Sequence, residues 1–97
     1  MIRTFGNSST EDFYHGRRTA AGRKIASTIR PTALRKLDIV NAASVIEDLR
    51  VPPGNRLEKL TGDLQGFHSI RINQQWRIVF RWVDGAAEDV EIVDYHG

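Results

Sequence analysis

The sequence predicts an α+β fold in which helices from the first half of the chain pack on one face of a small, curved antiparallel β-sheet. Between residues 31 and 49, apolar side chains recur every three to four positions, which is the period of a helix. From residue 68 to residue 82, apolar and polar side chains alternate, which is the period of a strand. Because the chain has only 97 residues, we expect one domain, residues 1–97.

The first thirty residues predict only short elements. Residues 2–5 are apolar enough for a first strand, and residues 8–12 carry hydroxyl groups followed by acids, as at the start of a helix. Gly16 follows within a turn or two, so this helix is short. Residues 16–27 are rich in Gly, Ala, Thr and Arg, and their composition predicts no particular element.

A second helix is predicted around Pro31, which suits a first helical turn because an N–H is not needed there. A repeated step of three is too short for one straight helix, so we expect a break or kink near residues 41–44, and Ser44 is able to cap a second short helix after it. Pro52 and Pro53 end helical structure. The expected apolar face consists of Leu34, Leu37, Val40, Ala43, Ile46 and Leu49.

The remainder of the chain predicts an antiparallel meander. Two alternating segments, residues 68–72 and 76–82, lie on either side of a turn. Asp84 and Gly85 mark the next turn, and residues 90–93 form the last strand. We expect the helices to cover the face of the longest strand that carries Trp76, Ile78, Phe80 and Trp82.

Composition excludes several classes of protein. The chain has no cysteine, which rules out disulfides, thiolate metal sites and cysteine nucleophiles. Its longest uncharged run has eight residues, too few for a membrane span, and its start has no apolar run suited to a secretory signal, so we expect a cytoplasmic protein. Nucleotide-loop and zinc-protease motifs are missing, and the three histidines lack metal-ligand spacing. We therefore expect any catalysis to need neither metal nor cofactor.

Positive charge is concentrated in one stretch. The chain carries 14 Lys and Arg against 12 Asp and Glu, yet residues 15–36 contain seven basic side chains and no acidic one. Such a stretch suits a phosphate backbone or an acidic partner protein, and a solvated, partly mobile loop is the alternative.

Arginines on the predicted sheet form a second candidate site. Arg71, Arg77 and Arg81 alternate with apolar residues, so they leave the core face of two neighbouring strands. We expect Arg77 to be exposed enough that its removal costs little stability. Guanidinium groups grip phosphate oxygens in a bidentate way, whereas a solvated face with Arg–Glu cross-strand pairs is the structural alternative.

Two further segments carry groups able to move protons. Asp94, Tyr95 and His96 place an acid, a phenol and an imidazole in succession, although polar chain ends are common. Residues 55–63 would be anchored by their leucines and would present Arg56, Glu58, Lys59 and Thr61 outward. This segment is either a solvated loop or the place of a proton acceptor held among cations.

These residues together resemble the HigB toxins of the RelE/ParE superfamily of type II toxin–antitoxin systems. The resemblance is close over the last half of the chain and looser before it. It rests on Pro52-Pro53-Gly54-Asn55-Arg56-Leu57-Glu58, Gly62-Asp63, Ser69-Ile70-Arg71-Ile72-Asn73, Gln75-Trp76-Arg77-Ile78-Val79-Phe80 and Val90-Glu91-Ile92-Val93-Asp94-Tyr95-His96.

The resemblance implies a RelE/ParE-like α+β fold and cleavage of mRNA on the translating ribosome. It also implies a HigA-like antitoxin with a helix-turn-helix domain, through which alone the toxin would reach operator DNA. By position, Arg77 matches the family's active-site arginine, and Asp94, Tyr95 and His96 match its terminal catalytic group. Some HigB toxins carry a catalytic His and Lys where this chain has Glu58 and Thr61, so Glu58 is a positional candidate only.

The chemistry of RNA cleavage fits these groups. In-line attack of a 2′-OH on the adjacent phosphate needs a base, positive donors for the phosphorane, and an acid for the leaving 5′ oxygen. Arg77 suits the phosphorane, helped by Arg71 or Arg81. Either Glu58 or His96 is the candidate base, and either His96 or Tyr95 the candidate acid.

Two other functions remain open from the sequence. The same superfamily includes toxins that poison DNA gyrase through protein contacts and lack the catalytic set. A weakened toxin, inactive because of Glu58 and Thr61, would instead persist as a co-repressor bound to its antitoxin.

Overall fold

The computed structural model describes residues 1–94, so Tyr95, His96 and Gly97 lie outside the described part of the chain. Two helices precede a four-stranded sheet, which agrees with the predicted α+β class. None of the described helices is long and apolar enough to cross a lipid bilayer. The elements are α1 (Ser8–Tyr14), α2 (Arg30–Ala42), β1 (Glu58–Lys59), β2 (Phe67–Arg71), β3 (Trp76–Val83) and β4 (Ala86–Asp94), joined by short 3₁₀ turns at Gly22–Lys24, Ser27–Ile29, Ile46–Arg50, Pro53–Asn55 and Gly62–Leu64.

Helix α1 begins after Asn7, whose side chain accepts a hydrogen bond from the Thr10 backbone N–H at 2.9 Å. The helix is short, as predicted, but its cap is an amide and not a hydroxyl group. Asn7 Nδ2 also donates to Glu91 at 2.9 Å, and the Ile92 N–H donates to Thr10 Oγ1 at 2.9 Å. These bonds fix α1 against β4.

Helix α2 carries Pro31 in its first turn and ends at Ala42, which confirms the predicted break near residues 41–44. Its buried residues are Ala33, Lys36, Leu37 and Val40. Leu34 is 40% exposed, so its predicted place on the apolar face is wrong. Ala33, the residue before Leu34, points into the core instead, because residues 33, 37 and 40 have the spacing of one helix face.

The chain after the break forms a short 3₁₀ helix, Ile46–Arg50, so the predicted second short helix is present, but its N-cap is Val45 and not Ser44. The carboxylate of Asp48 accepts hydrogen bonds from the backbone N–H groups of Ser44 and Val45, at 2.9 and 3.2 Å. The predicted cap at Ser44 is therefore wrong, because Asp48 reaches back and satisfies these donors.

The four strands follow one another in the order β1-β2-β3-β4, and each neighbouring pair is antiparallel. The predicted meander is thus confirmed, with a two-residue strand added at its edge. The register shifts between Val79 and Arg81, where Asp89 on β4 adopts a left-handed φ of 52°. Such a bulge bends and twists the strand that carries it.

The predicted first strand at residues 2–5 is only partly formed. Ile2 and Phe5 make isolated parallel bridges to Ala87 and Val90 on β4. The bulge of β4 lies between these two bridges, so the segment follows the edge of the sheet without becoming a continuous strand.

Both helices pack on one face of the sheet. Ile78 and Phe80 are fully buried there, and Trp76 and Trp82 pack against the same core, which confirms the predicted face of β3. The cluster is completed by Phe13, Ile25, Ile29, Ala33, Leu37, Val40, Ala43, Leu49, Ile70, Ile72, Ala87, Val90 and Ile92.

Candidate active site

Arg71 on β2 and Arg77 on β3 stand directly opposite each other in the antiparallel register. Their side chains leave the face opposite the helices, because Ile70 and Ile78 beside them point into the core. Two like charges at paired positions repel each other unless acceptor groups or an anion lie between them.

Arg77 is held by the segment that leads into β1. Its Nη2 donates to the backbone carbonyl of Arg56 at 3.0 Å, and its Nη1 lies 3.4 Å from Glu58 Oε2. Arg77 is only 8% exposed, so the expectation of an exposed side chain is wrong. Its side chain leaves the core face, as predicted. The segment from Arg56 to Glu58 covers it, and the sequence did not predict this contact.

Local backbone geometry explains this contact. The 3₁₀ turn Pro53–Asn55 ends at Arg56, whose left-handed φ of 47° redirects the chain toward the sheet. Glu58 then enters β1 opposite Ser69, which shares a face with Arg71 and Arg77. The carboxylate therefore reaches Arg77 from the neighbouring edge.

These side chains surround a small cleft of about 130 Å³. Three of its lining residues are arginines and one is a carboxylate, so an anion entering it meets guanidinium groups from two strands and a loop. Forked guanidinium donors match the oxygens of a phosphate. The lining consists of Arg56, Glu58, Arg71, Asn73, Gln74 and Arg77.

Asp94 ends β4 near the same end of the sheet. Its register partner is Trp76, and the neighbouring Val93 pairs with Arg77. Asp94 Oδ2 accepts a hydrogen bond from Gln75 Nε2 at 3.1 Å. The two other members of the predicted terminal group, Tyr95 and His96, lie outside the described residues.

A second basic surface lies between α1 and the 3₁₀ turn Gly22–Lys24. Its pocket of about 460 Å³ is lined by Phe13, Gly16, Arg17, Arg18, Gly22, Arg23 and Arg30. Arg30 donates to the carbonyls of Gly22 and Ile25, at 2.9 and 3.1 Å, and its guanidinium lies 5.4 Å from the Phe13 ring centroid. Arg30 thus holds in place part of the stretch, residues 16–27, for which the sequence predicts no particular element.

Asp12 directly precedes Phe13, which lines this pocket. It accepts from Thr19 Oγ1 at 2.6 Å and from Arg17 Nη1 at 3.1 Å. The hydrogen bond from Thr19, followed by that from Arg17, lowers the pKa of the Asp12 carboxyl. Among residues 1–94, no group of three or more His, Asp or Glu side chains is placed to hold a metal ion.

Comparison with protein families shows to which family this chain belongs. Residues 3–96 match the family described as the RelE-like toxin of the type II toxin–antitoxin system HigB. The chain belongs to the HigB toxin family. Toxin HigB-1 of Vibrio cholerae is 46% identical over 87 residues, 90% of each chain. Endoribonuclease HigB of Proteus vulgaris is 39% identical over 41 residues, 42% of this chain and 45% of that protein.

Solved structures of other proteins share the fold of this chain. The YoeB–YefM complex from Staphylococcus aureus contains a chain that aligns with a TM-score of 0.60 and 16% identity, over 100% of this chain and 99% of that one. A mutant of YafQ from Escherichia coli aligns with a TM-score of 0.58 and 10% identity, over 98% and 94%. The RelE/ParE-like α+β fold predicted from the sequence is thereby confirmed.

Three side chains that the sequence predicts outside the core, Lys59, Thr61 and Arg81, lie away from the cleft. Lys59 follows Glu58 in β1 and so faces the other side, beside His68. Thr61 precedes the 3₁₀ turn Gly62–Leu64 and does not line the cleft. Arg81 lies 3.3 Å from Asp89, and its guanidinium lies 4.8 Å from the Phe67 ring centroid.

Two cleft residues of this HigB toxin were missed by sequence reasoning, Asn73 and Gln74. The turn that carries them was predicted, but only the register of β2 and β3 places it beside both arginines. Asn73 Oδ1 accepts from the N–H groups of Gln75 and Trp76, both at 2.8 Å, and the Asn73 carbonyl accepts from Arg71 Nε at 3.0 Å. The sequence feature that could have identified them is an asparagine at the start of a turn between two strands that carry arginines.

Proposed function

We propose that this HigB toxin is an endoribonuclease that cuts mRNA on the translating ribosome and thereby inhibits translation. The proposal rests on the cleft of about 130 Å³, which is lined by Arg56, Arg71 and Arg77 together with Glu58. The relative named Endoribonuclease HigB supports the same class of reaction.

The proposed reaction uses a nucleophile that RNA itself supplies. The 2′-OH attacks the adjacent phosphorus in line, a 2′,3′-cyclic phosphate forms, and the 5′ oxygen leaves with a proton. Arg77, with Arg71 opposite it, donates to the phosphoryl oxygens as negative charge grows on the phosphorane. These steps require no metal ion and no organic cofactor.

Because Glu58 is paired with Arg77, binding of the substrate would free Glu58 to act as the base. An entering phosphate competes with the Glu58 carboxylate for the Arg77 guanidinium, because both are anions. Displaced from Arg77, Glu58 is available to accept the proton of the 2′-OH. His96 is the second candidate base.

The terminal group completes the proposed reaction. His96 or Tyr95 protonates the leaving 5′ oxygen, and Tyr95 is also suited to stacking on a base. Asp94, which ends β4 beside the register partner of Arg77, orients the imidazole or the arginine.

Docking on the ribosome is proposed for the second basic surface. Positive charge around one pocket comes from Arg17, Arg18, Arg23 and Arg30, and this pocket shares no lining residue with the cleft. Phosphates of ribosomal RNA would hold the toxin there while an mRNA already bent for decoding enters the cleft. Function on ribosomes implies a cytoplasmic location.

Membership of a type II system implies a protein antitoxin. We assign to it a HigA-like protein with a helix-turn-helix domain, so that operator DNA is contacted only through the antitoxin. An acidic surface on such a partner would complement the basic stretch at residues 15–36.

Induction of the toxin without an antitoxin tests the proposed function. We expect loss of mRNA with stalled ribosomes. An SOS response would instead indicate gyrase poisoning, and normal growth would indicate a co-repressor.

Purified toxin added to naked mRNA and to programmed ribosomes tests the ribosome requirement. We expect cleavage on ribosomes and little on naked mRNA. Equal, efficient cutting of both would remove the requirement.

A further inference from the structure

Two buried polar side chains join helix α2 to the segment that holds Arg77. Lys36 is only 8% exposed and its Nζ donates to Oδ1 of Asn55, which is fully buried. Burial, and after it the charge of Arg35, lowers the pKa of the Lys36 ammonium. An ammonium group in an apolar layer has a desolvation cost that an apolar side chain of similar length would avoid, so stability alone does not explain it.

Asn55 uses both ends of its amide. Nδ2 donates to the carbonyls of Leu49 and Val51, at 3.2 and 3.3 Å, while Oδ1 accepts from Lys36. Its backbone N–H donates to the Pro52 carbonyl at 2.9 Å. The side chain thus fixes the loop between the 3₁₀ turn Ile46–Arg50 and β1 from the inside.

The same loop supplies two partners of Arg77. Arg56, the residue after Asn55, offers its carbonyl at 3.0 Å from Arg77 Nη2, and Glu58 lies 3.4 Å from Nη1. The path from Lys36 through Asn55 to Arg77 therefore runs from the helix layer, around the β1 edge, to the opposite face of the sheet.

We propose that Lys36 and Asn55 are positioning residues that hold the Arg56 carbonyl and Glu58 in place and, through them, orient the Arg77 guanidinium. Asn55 is inaccessible to RNA, and Lys36 does not line the cleft, so neither touches the substrate. The inference rests on the proposed function, because it assigns the oriented guanidinium to the cleavage of RNA.

The test compares Lys36→Met with Arg35→Met. Methionine keeps an unbranched apolar chain, one atom shorter than that of Lys36, and removes the donor to Asn55. Arg35 is an exposed neighbour on the same helix, so its substitution removes the same charge without touching the loop. For each variant, single-turnover cleavage on saturating programmed ribosomes, ribosome affinity and the thermal midpoint are measured. In the free toxin, NMR of the Arg77 side chain measures rotation of its guanidinium.

For Lys36→Met we expect cleavage to slow roughly 10- to 100-fold, since a misplaced catalytic group loses rate steeply. Ribosome affinity should stay within about twofold, because no phosphate contact is lost. Rotation of the Arg77 guanidinium should become faster, and Arg35→Met should match the wild type in rate and rotation. Wild-type rate and rotation in a folded Lys36→Met would overturn the proposal.

If Lys36→Met does not fold, Asn55→Asp tests the positioning role instead. Aspartate keeps the acceptor for Lys36 and loses the two donations to Leu49 and Val51. A folded Asn55→Asp that cleaves more slowly, with a faster-rotating Arg77, supports the proposal, and wild-type behaviour overturns it. Unfolding of both variants also overturns it, because the pair then holds the fold and not the site. A wild-type toxin that does not cleave refutes the proposed function, while the NMR measurement still tests the positioning link.

Discussion

Arg77 contacts the Arg56 carbonyl and is also proposed to act in catalysis. Substitution of Arg77 allows its effects on stability and on cleavage rate to be measured separately. Arg77→Ala removes the donor to the Arg56 carbonyl at a site only 8% exposed, so we expect a loss of about 1–3 kcal/mol of stability. Loss of a fixed donor to the phosphorane should slow cleavage roughly 100- to 1000-fold. Thermal midpoint and single-turnover mRNA cleavage measure the two effects.

Arg81→Ala is the matched control for Arg77. It removes a guanidinium from the same face of the same strand, but one that pairs with Asp89 outside the cleft. We expect its rate to stay within a few-fold of wild type. A folded Arg77→Ala that cuts as fast as Arg81→Ala would remove Arg77 from the mechanism.

Glu58 is best tested by Glu58→Gln, which keeps the shape and removes the charge. If Glu58 accepts the 2′-OH proton, the cleavage rate should fall about 100-fold or more. Binding of mRNA to the cleft should not weaken, because Arg77 loses an anion that competes with phosphate. Filter binding and single-turnover rates separate these effects.

The control for Glu58 is Glu88→Gln, whose carboxylate pairs with Arg3 at 2.6 Å outside the cleft. It should leave both measurements unchanged. Wild-type cleavage by Glu58→Gln would transfer the role of base to another group, with His96→Gln as the next variant.

At the scale of elements, the basic segment between the helices has a ribosome-binding role that salt can measure. Replacing Arg17, Arg18, Arg23 and Lys24 by Gln should lower ribosome affinity and flatten its salt dependence, because fewer counterions are released on binding. Removing four cations elsewhere, at Arg3, Arg50, Lys59 and Arg81, gives the control for net charge. Equal effects of both sets would mean that total charge, and not this surface, drives binding.

Elements with one dominant pattern were predictable from the sequence, and those set by long-range contacts were not. The alternation around Ile78 gave the buried face of β3, and the step of three gave the break of α2. Leu34 was misplaced, because periodicity alone does not distinguish it from its neighbour Ala33. The cover over Arg77 depends on the turn at Arg56 and on Asn55, contacts between segments about 20 residues apart that no local pattern reports.

At the scale of the whole molecule, two ionisable groups make stability fall on acidification. Burial, and then the charge of Lys59, lowers the pKa of His68 below its usual 6.5, so the unfolded chain binds this proton more readily than the folded one. Stability should therefore decline as the pH falls below that value. Asp12 also has a lowered pKa, so its contribution is present above its usual 3.8 and is lost as the pH falls below that.

Urea unfolding as a function of pH, with one variant for each group, tests this prediction. His68→Phe keeps a ring to stack on Phe80, where the centroids now lie 6.2 Å apart, and removes the titrating nitrogen. It should reduce the decline in stability between about pH 7 and pH 5. Asp12→Asn should reduce only the decline below about pH 4, because its carboxylate is already fully charged at higher pH. If His68→Phe leaves the upper decline unchanged, the proton that destabilises the folded toxin binds elsewhere, and His68 is a packing residue only.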